Sequence, residues 1–276
     1  MTKIVFLDID GTLVTPNYPL SALVKKGIKK ARENGHLIFL CTGRNRVSIE
    51  NIMSDDFDGC ICSAGGYLEI KGEMIETTYL DKEEVEQARK VFEQNHMLYN
   101  LESTYMTFAS DELRHYFAHA LLGDEGTNSE LKEQQRKEYH MIDISKYQDQ
   151  GIHKLCFIAF NREDIEKTKI LLPNYHFIVH EMFSQHSING EIIKKGMDKG
   201  LAIKKVVEIL HMKMEDTIAF GDSMNDYEML QVCNYGVAMK NACQELKASA
   251  DNICESVEND GVYYEMERLG LFECLD

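Results

Sequence analysis

Four short stretches carry the residue types that could do chemistry: Asp8-Ile9-Asp10-Gly11-Thr12, Thr42-Gly43-Arg44, the region of Lys199, and Gly221-Asp222-Ser223-Met224-Asn225-Asp226. Asp8, Asp10, Asp222 and Asp226 are carboxylates that, drawn together unpaired, would repel and raise one another's pKa values. A hard divalent cation removes that conflict. Mg²⁺ takes oxygen ligands and is typically held by one or two carboxylates, with substrate phosphate and water completing its shell. An aspartate is also a nucleophile towards phosphorus, giving an aspartyl-phosphate. The Thr42 hydroxyl can donate to a phosphoryl oxygen, and Lys199 can set a positive charge beside it. Phosphoryl transfer needs positioning and charge neutralisation above all, which such a set supplies.

That chemistry requires the four stretches to converge, and the pattern between them predicts how. Residues 3–7 read as a buried strand and 21–34 as a helix with Leu23, Val24, Ile28 and Ala31 on one face, stopped by Gly35. A strand over 37–40, a helix over about 46–53 and a strand over 59–62 follow. The alternation returns near the end: helix 199–210, strand 217–220, helix 225–233, strand 235–239, helix 242–248, strand 251–254 and helix 261–269. Strands alternating with helices imply βαβ units and a parallel sheet. Ligands of open α/β sheets bind outside the carboxyl ends of the strands, where these stretches fall.

The middle of the chain reads differently. A hairpin turns at Lys71-Gly72, and Asp81-x-x-Glu84 is a capping-box-like start for a helix to about 94. Strand signals at 97–101, 105–108, 139–144, 154–160 and 176–179 mix with helices near 111–121 and 162–171. The expected fold is α/β, a Rossmann-like parallel-sheet core at 1–82 and 187–276 with an inserted α+β cap domain at 83–186.

Composition narrows the function. Lys and Arg number 30 against 46 Asp and Glu, a formal net charge of −16. A protein that neutralises nucleic-acid phosphates wants the opposite sign, so nucleic acid is excluded as a partner. The apolar run Ile4-Val5-Phe6-Leu7 is shorter than the roughly 7–15 residues of a secretory signal core or the roughly 20 of a membrane span. The eight cysteines are scattered without a C-x-x-C pair and read as small core residues of a reducing cytosol. The expectation is a cytoplasmic protein without a membrane partner, a monomer or weak dimer.

The four stretches in this order resemble the haloacid dehalogenase superfamily of phosphatases. D-x-D-G-T stands at Asp8–Thr12, a hydrophobic strand runs into Thr42, a lysine stands at Lys199, and G-D-x-x-N-D closes the set at Gly221–Asp226. Phe220 to Leu230, Gly236-Val237-Ala238-Met239, Asn241-Ala242 and Asn259-Asp260-Gly261-Val262 narrow the resemblance to the Cof-type subfamily. The resemblance covers the whole chain and implies Mg²⁺-dependent hydrolysis of a small phosphorylated metabolite. It makes Asp8 the nucleophile and Asp10 the general acid/base. Asp8, the backbone carbonyl of Asp10 and Asp222 would hold the metal, with Asp226 a further ligand or a support to those ligands. Thr42 and Lys199 would hold phosphoryl oxygens, Asn225 would lie near the substrate, and Gly43, Arg44, Gly65 and Gly66 would border the crevice. Lys195 is the alternative to Lys199. Lys240 and Ala64 depart from the family's usual Gly and Asn.

Blander readings stand beside these. The lysine run 194–205 reads otherwise as a solvated helix face. His115 and His119 have metal-ligand spacing on a helix but no third ligand. His180-Glu181 begins like a zinc-protease motif, yet Ser184 stands where its second histidine belongs. A phosphomutase with the same aspartates and a non-catalytic sugar-phosphate sensor are the competing functions. The cap is expected to close over the crevice and set leaving-group choice.

Overall fold

The computed structural model describes residues 1–122, 140–179 and 187–273, with the backbone alone for 117–122. The side chain of His119 and the 180–186 segment therefore lie outside the described residues. The chain opens with β1 (Ile4–Leu7), whose four side chains are all buried. The helix Ala22–Glu33 follows, capped by the Ser21 hydroxyl on the Val24 N–H, with Val24, Ile28 and Ala31 turned inward. Next come β2 (Leu37–Cys41), β3 (Gly59–Cys62), β4 (Tyr67–Ile70) and β5 (Glu73–Thr77).

The middle segment contains the helix Lys82–Gln94, β6 (Leu98–Ser103), β7 (Thr107–Ala109), the helix Asp111–Leu122 and β8 (Met141–Asp143). It continues through β9 (Ile152–Ala159), the helix Arg162–Leu171, β10 (Tyr175–Val179) and β11 (Ile188–Lys194). The chain returns through the helix Lys199–Ile209, β12 (Thr217–Gly221), the helix Tyr227–Val232, β13 (Tyr235–Met239), β14 (Asn252–Cys254) and the helix Gly261–Arg268.

Two compact units result: residues 1–44, 51–77 and 197–276, and residues 45–50 and 78–196. The first holds an eight-stranded sheet in the order β14-β13-β12-β1-β2-β3-β4-β5. From β14 to β3 every pairing is parallel. The expected hairpin is β4–β5, and it extends this sheet antiparallel to β3. The chain winds outward from β1 through β2 and β3, then from β12 through β13 and β14 the other way. The adjacent pair β1–β12 is thus the point where strand order reverses, the place where such sheets bind ligands. Phe6, Phe39, Ala219 and Met229 share one core cluster with Ile203 and Val206 of the helix Lys199–Ile209.

The second unit is a six-stranded sheet, β10-β11-β9-β6-β7-β8, antiparallel except for β7–β8. One face, with Leu101, Leu155, Phe157 and Ile192, packs with Val85, Phe92 and Ile165 of its helices. The register sets Asn100 opposite Cys156 and Cys156 opposite Glu191, giving the other face a polar strip. Within it Lys154 lies 3.5 Å from Glu102 and also pairs with Glu191.

The structure revises several expectations. No helix spans 46–53; a single 3-10 turn covers Val47–Ile49. There the Val47 N–H donates to the Thr104 carbonyl at 3.1 Å and Asn45 Nδ2 to the Ser103 carbonyl at 3.0 Å, tertiary bonds that override helix propensity. Strand β11 was absent from the sequence pattern, because Gly190 and the polar Asn189 and Glu191 interrupt its alternation. Lys194 accordingly lies on a strand, 2.8 Å from Glu84, and not on a helix face. Because β11 is bonded to β9 and β10, the second unit extends to Gly196, past the expected boundary at 187, and its start at 78 precedes the expected 83. Among the described residues no helix is long and apolar enough to cross a membrane.

Candidate active site

The site assembles at the carboxyl ends of β1 and β12. Asp8 directly follows β1, and its N–H donates to the Phe220 carbonyl on β12 at 3.0 Å, so the pairing of the two strands fixes it. Asp222 follows β12. Asp226 lies four residues on, in the turn that starts the helix Tyr227–Val232, and its Oδ2 accepts the N–H groups of Asp222 at 3.0 Å and Ser223 at 3.1 Å. The loop thus wraps around the carboxylate of its own last residue.

Lys199 enters from the first turn of its helix, which Asp198 caps by accepting the Leu201 N–H at 2.7 Å. The Lys199 side chain is fully buried. Its Nζ donates to Asp8 Oδ1 at 2.7 Å and to Asp226 Oδ1 at 2.6 Å. The alternative Lys195 falls in the second unit, its N–H on the Asn174 carbonyl, so Lys199 is the lysine of this cluster.

Asp8, Asp222 and Asp226 each offer an oxygen, and these lie within 4.8 Å of one another. One ammonium faces three carboxylates, and the electrostatics reflect the surplus. Burial lifts the Asp8 carboxyl well above the carboxylate range, with Asp226 adding to the rise and Lys199 opposing it. Burial and Asp226 push Asp222 to about 7. Burial works against the Lys199 charge, but Asp226 and Asp8 outweigh it and hold its pKa well up. A set of hard oxygen donors with uncompensated negative charge fits a hard dication such as Mg²⁺.

Backbone geometry makes room for this cluster. Gly11 has φ +85°, and a Cβ there would stand 2.1 Å from Asp222 Oδ2. Thr12 Oγ1 donates to Asp222 Oδ1 at 3.4 Å, and Asn241 Nδ2 holds the Gly11 carbonyl at 2.8 Å. The glycine of D-x-D-G was visible in the sequence; its role in seating Asp222 was not.

The remaining expected residues fall into two groups. Thr42 is buried after β2, its Oγ1 accepting the Arg44 N–H at 3.1 Å, with Gly43 between them. Asn225 Oδ1 accepts the Ser223 hydroxyl at 2.7 Å. Asp10 stands apart: its carboxylate turns to Arg44, which donates from Nη2 at 2.6 Å and Nε at 2.8 Å. The cluster is thus made by three carboxylates and a lysine, and Arg44 pairs with the fourth carboxylate.

The loop after β3 joins these pieces. Its Ser63 N–H donates to the Arg44 carbonyl at 2.8 Å and its Ala64 N–H to that of Thr42 at 3.1 Å. Ser63, Ala64 and Gly65 all have positive φ, and a Cβ on Gly65 would stand 2.5 Å from the Asp198 carbonyl oxygen. Backbone strain of this kind is held in place by its surroundings, and here it packs the Thr42 loop against the start of the Lys199 helix. Lys240 pairs at the surface with Glu255 at 3.0 Å, and His115 Nδ1 bonds the Asp111 carbonyl one helical turn back.

The sequence profile of the haloacid dehalogenase-like hydrolases matches residues 5–266. The 5-amino-6-(5-phospho-D-ribitylamino)uracil phosphatase YwtE of Bacillus subtilis (strain 168) is 26% identical over 97% of this chain and 98% of its own length. The pyridoxal phosphate phosphatase YbhA of Escherichia coli (strain K12) is 26% identical over 95% of this chain and 96% of its own. A haloacid dehalogenase-like hydrolase from B. subtilis superposes with a TM-score of 0.78 at 22% identity, covering 97% of this chain and 100% of that one, which shows the fold.

Proposed function

Because this chain belongs to the haloacid dehalogenase-like hydrolases of the Cof type, we propose that it hydrolyses phosphate monoesters of small metabolites through a phosphorylated Asp8. The observation that carries the reading is Lys199, fully buried between Asp8 and Asp226 where β1 and β12 end. The lysine holds the Asp8 carboxylate in one orientation and brings positive charge to the point where phosphoryl oxygens gather. Asp8, Asp222, Asp226 and the Asp10 backbone carbonyl would hold Mg²⁺, which when bound neutralises phosphoryl charge. Thr42 would donate to a phosphoryl oxygen, with Gly43, Arg44 and Asn225 at the rim towards the substrate.

In this mechanism an Asp8 oxygen attacks phosphorus and the bond from phosphorus to the ester oxygen breaks. Asp10 gives that oxygen a proton as it leaves. Asp10, now ionised, takes a proton from water as the water attacks phosphorus, and the Asp8–phosphorus bond breaks. Phosphate leaves and both side chains return to their starting states. The two curated relatives, named for a phosphorylated ribitylaminouracil and for pyridoxal phosphate, support esters on compact ring-bearing metabolites as the first substrates to try.

The test is phosphate release over a panel of sugar phosphates, nucleotides and pyridoxal phosphate, with Mg²⁺ or with a chelator. Activity should vanish in chelator and in Asp8→Asn. In Asp10→Asn it should fall by about 10²–10⁴-fold for alkyl esters and less for an activated aryl phosphate, which needs no proton donor. Full activity in chelator, or ordinary turnover by Asp8→Asn, would overturn the reading.

A further inference from the structure

Outside the carboxylate cluster, the first unit contains a cavity of about 440 Å³. That is within the range of small-molecule sites. Leu20, Ile28 and Phe57 contribute apolar wall, Lys25 and Arg44 are its cations, and Asp56 is its carboxylate. Lys25 is exposed and enters no ion pair among the described residues. A cation over apolar wall suits an apolar body that carries one negative charge: the body is drawn out of water, and the anionic end meets a charged donor.

Two wall residues lead directly to Asp10. Arg44 holds the Asp10 carboxylate through two hydrogen bonds. Val14, also on the wall, forms a backbone bridge with Asp10, and its carbonyl accepts the Gly11 N–H at 2.7 Å. Whatever fills the cavity therefore touches both the side chain that orients Asp10 and the strand of loop that carries it.

We propose that this cavity is a second-ligand site for a small amphiphilic carboxylate, seated with its apolar body on the Leu20–Phe57 wall and its carboxylate at Lys25, and that occupancy alters turnover through Arg44 and Val14. The ligand acts by moving the Asp10 carboxylate, since one guanidinium cannot keep the same two bonds while its stem is displaced. A ligand can shift such an equilibrium only by its differential contacts with the two arrangements, and both contacts here lie on the cavity wall. The binding half of the proposal stands apart from the phosphatase reading; the effect on turnover rests on it.

The experiment uses the full chain with 2-naphthoate as probe and the uncharged 2-naphthamide as its partner, read by ligand-observed NMR. Naphthoate should bind saturably below about 1 mM and naphthamide at least about 10-fold more weakly. Lys25→Gln should weaken naphthoate by about 5-fold or more and leave naphthamide unchanged, while Leu20→Trp, which fills the cavity, should weaken both. Saturating naphthoate should change the rate of phosphate release by at least about 2-fold in the native chain and leave Leu20→Trp unaffected. Equal binding of acid and amide, absence of saturation, or binding that survives in Leu20→Trp would overturn the site. Naphthoate that competes with the phosphate ester in Leu20→Trp as in the native chain would place it at the carboxylate cluster and also overturn it. If no ester is hydrolysed at all, the phosphatase reading and the turnover effect fail, while the binding measurements still decide the site.

Discussion

At the residue scale the site is a charge balance left open. Three carboxylates share one ammonium, and the two bonds of Lys199 go to Asp8 and Asp226, leaving Asp222 with a hydroxyl as its side-chain donor. A buried charge without a full partner is costly, and the cost appears in Asp222, pushed up to about 7 by burial and by Asp226. The sign of the consequence follows from linkage. A carboxyl whose pKa is higher in the folded than in the unfolded chain contributes stability that is fully present below about pH 4 and lost as pH rises through about 7. In chelator, the native chain should therefore lose ground to Asp222→Asn between these limits, with the difference in Tm growing by several degrees, on the order expected for a change of a few kcal/mol. Adding Mg²⁺ should restore the native chain and not the variant. Thermal melts of both proteins across that range, with and without Mg²⁺, check this; a difference that does not vary with pH would refute it. The same scale shows what the spacing in the sequence left open about Asp10. It stands two residues from Asp8, and the loop turns its side chain to Arg44, a direction that spacing does not carry.

At the element scale, the reach of Lys199 depends on where its helix begins. Asp198 supplies that start by capping Leu201, and Gly65 lets the neighbouring loop press against the Asp198 backbone. Asp198→Ala should cost about 0.5–2 kcal/mol of stability, and Asp198→Ser should recover most of it, because serine offers the same acceptor. Urea denaturation of the two variants measures this, and equal losses in both would show that the cap bond is not what matters. The helices around the site were legible in the sequence because apolar residues recur at helical spacing, and the parallel strands because each is a short continuous apolar run, buried on both faces. Strand β11 and the 45–50 segment were not. Their conformation is set by partners distant in sequence, β9 for the strand and Ser103 and Thr104 for the turn, and no local period reports such bonds.

At the scale of the whole molecule, the two units have separate cores and the first holds the carboxylate cluster; we propose that the second selects among leaving groups. Asn189 lies on the polar face of the six-stranded sheet, opposite Ile158. Asn189→Ala should change the ratio of kcat/KM between two phosphate esters while the Mg²⁺ requirement stays as it was. Steady-state kinetics on the ester panel tests this, and a uniform fall for every ester would count against a role in selection. The sequence alone determined the α/β core, the order of its motifs, the family those motifs resemble and the formal net charge of −16. These are properties of residue type and short-range spacing, which survive without knowledge of what packs on what. The tertiary structure alone decided which carboxylates share Lys199, that Asp10 is held by Arg44, that Gly11 makes room for Asp222, and that a cavity adjoins the Arg44–Asp10 pair. Each of these depends on where strands far apart in the chain lie side by side, and on directions of side chains that a one-dimensional pattern does not contain.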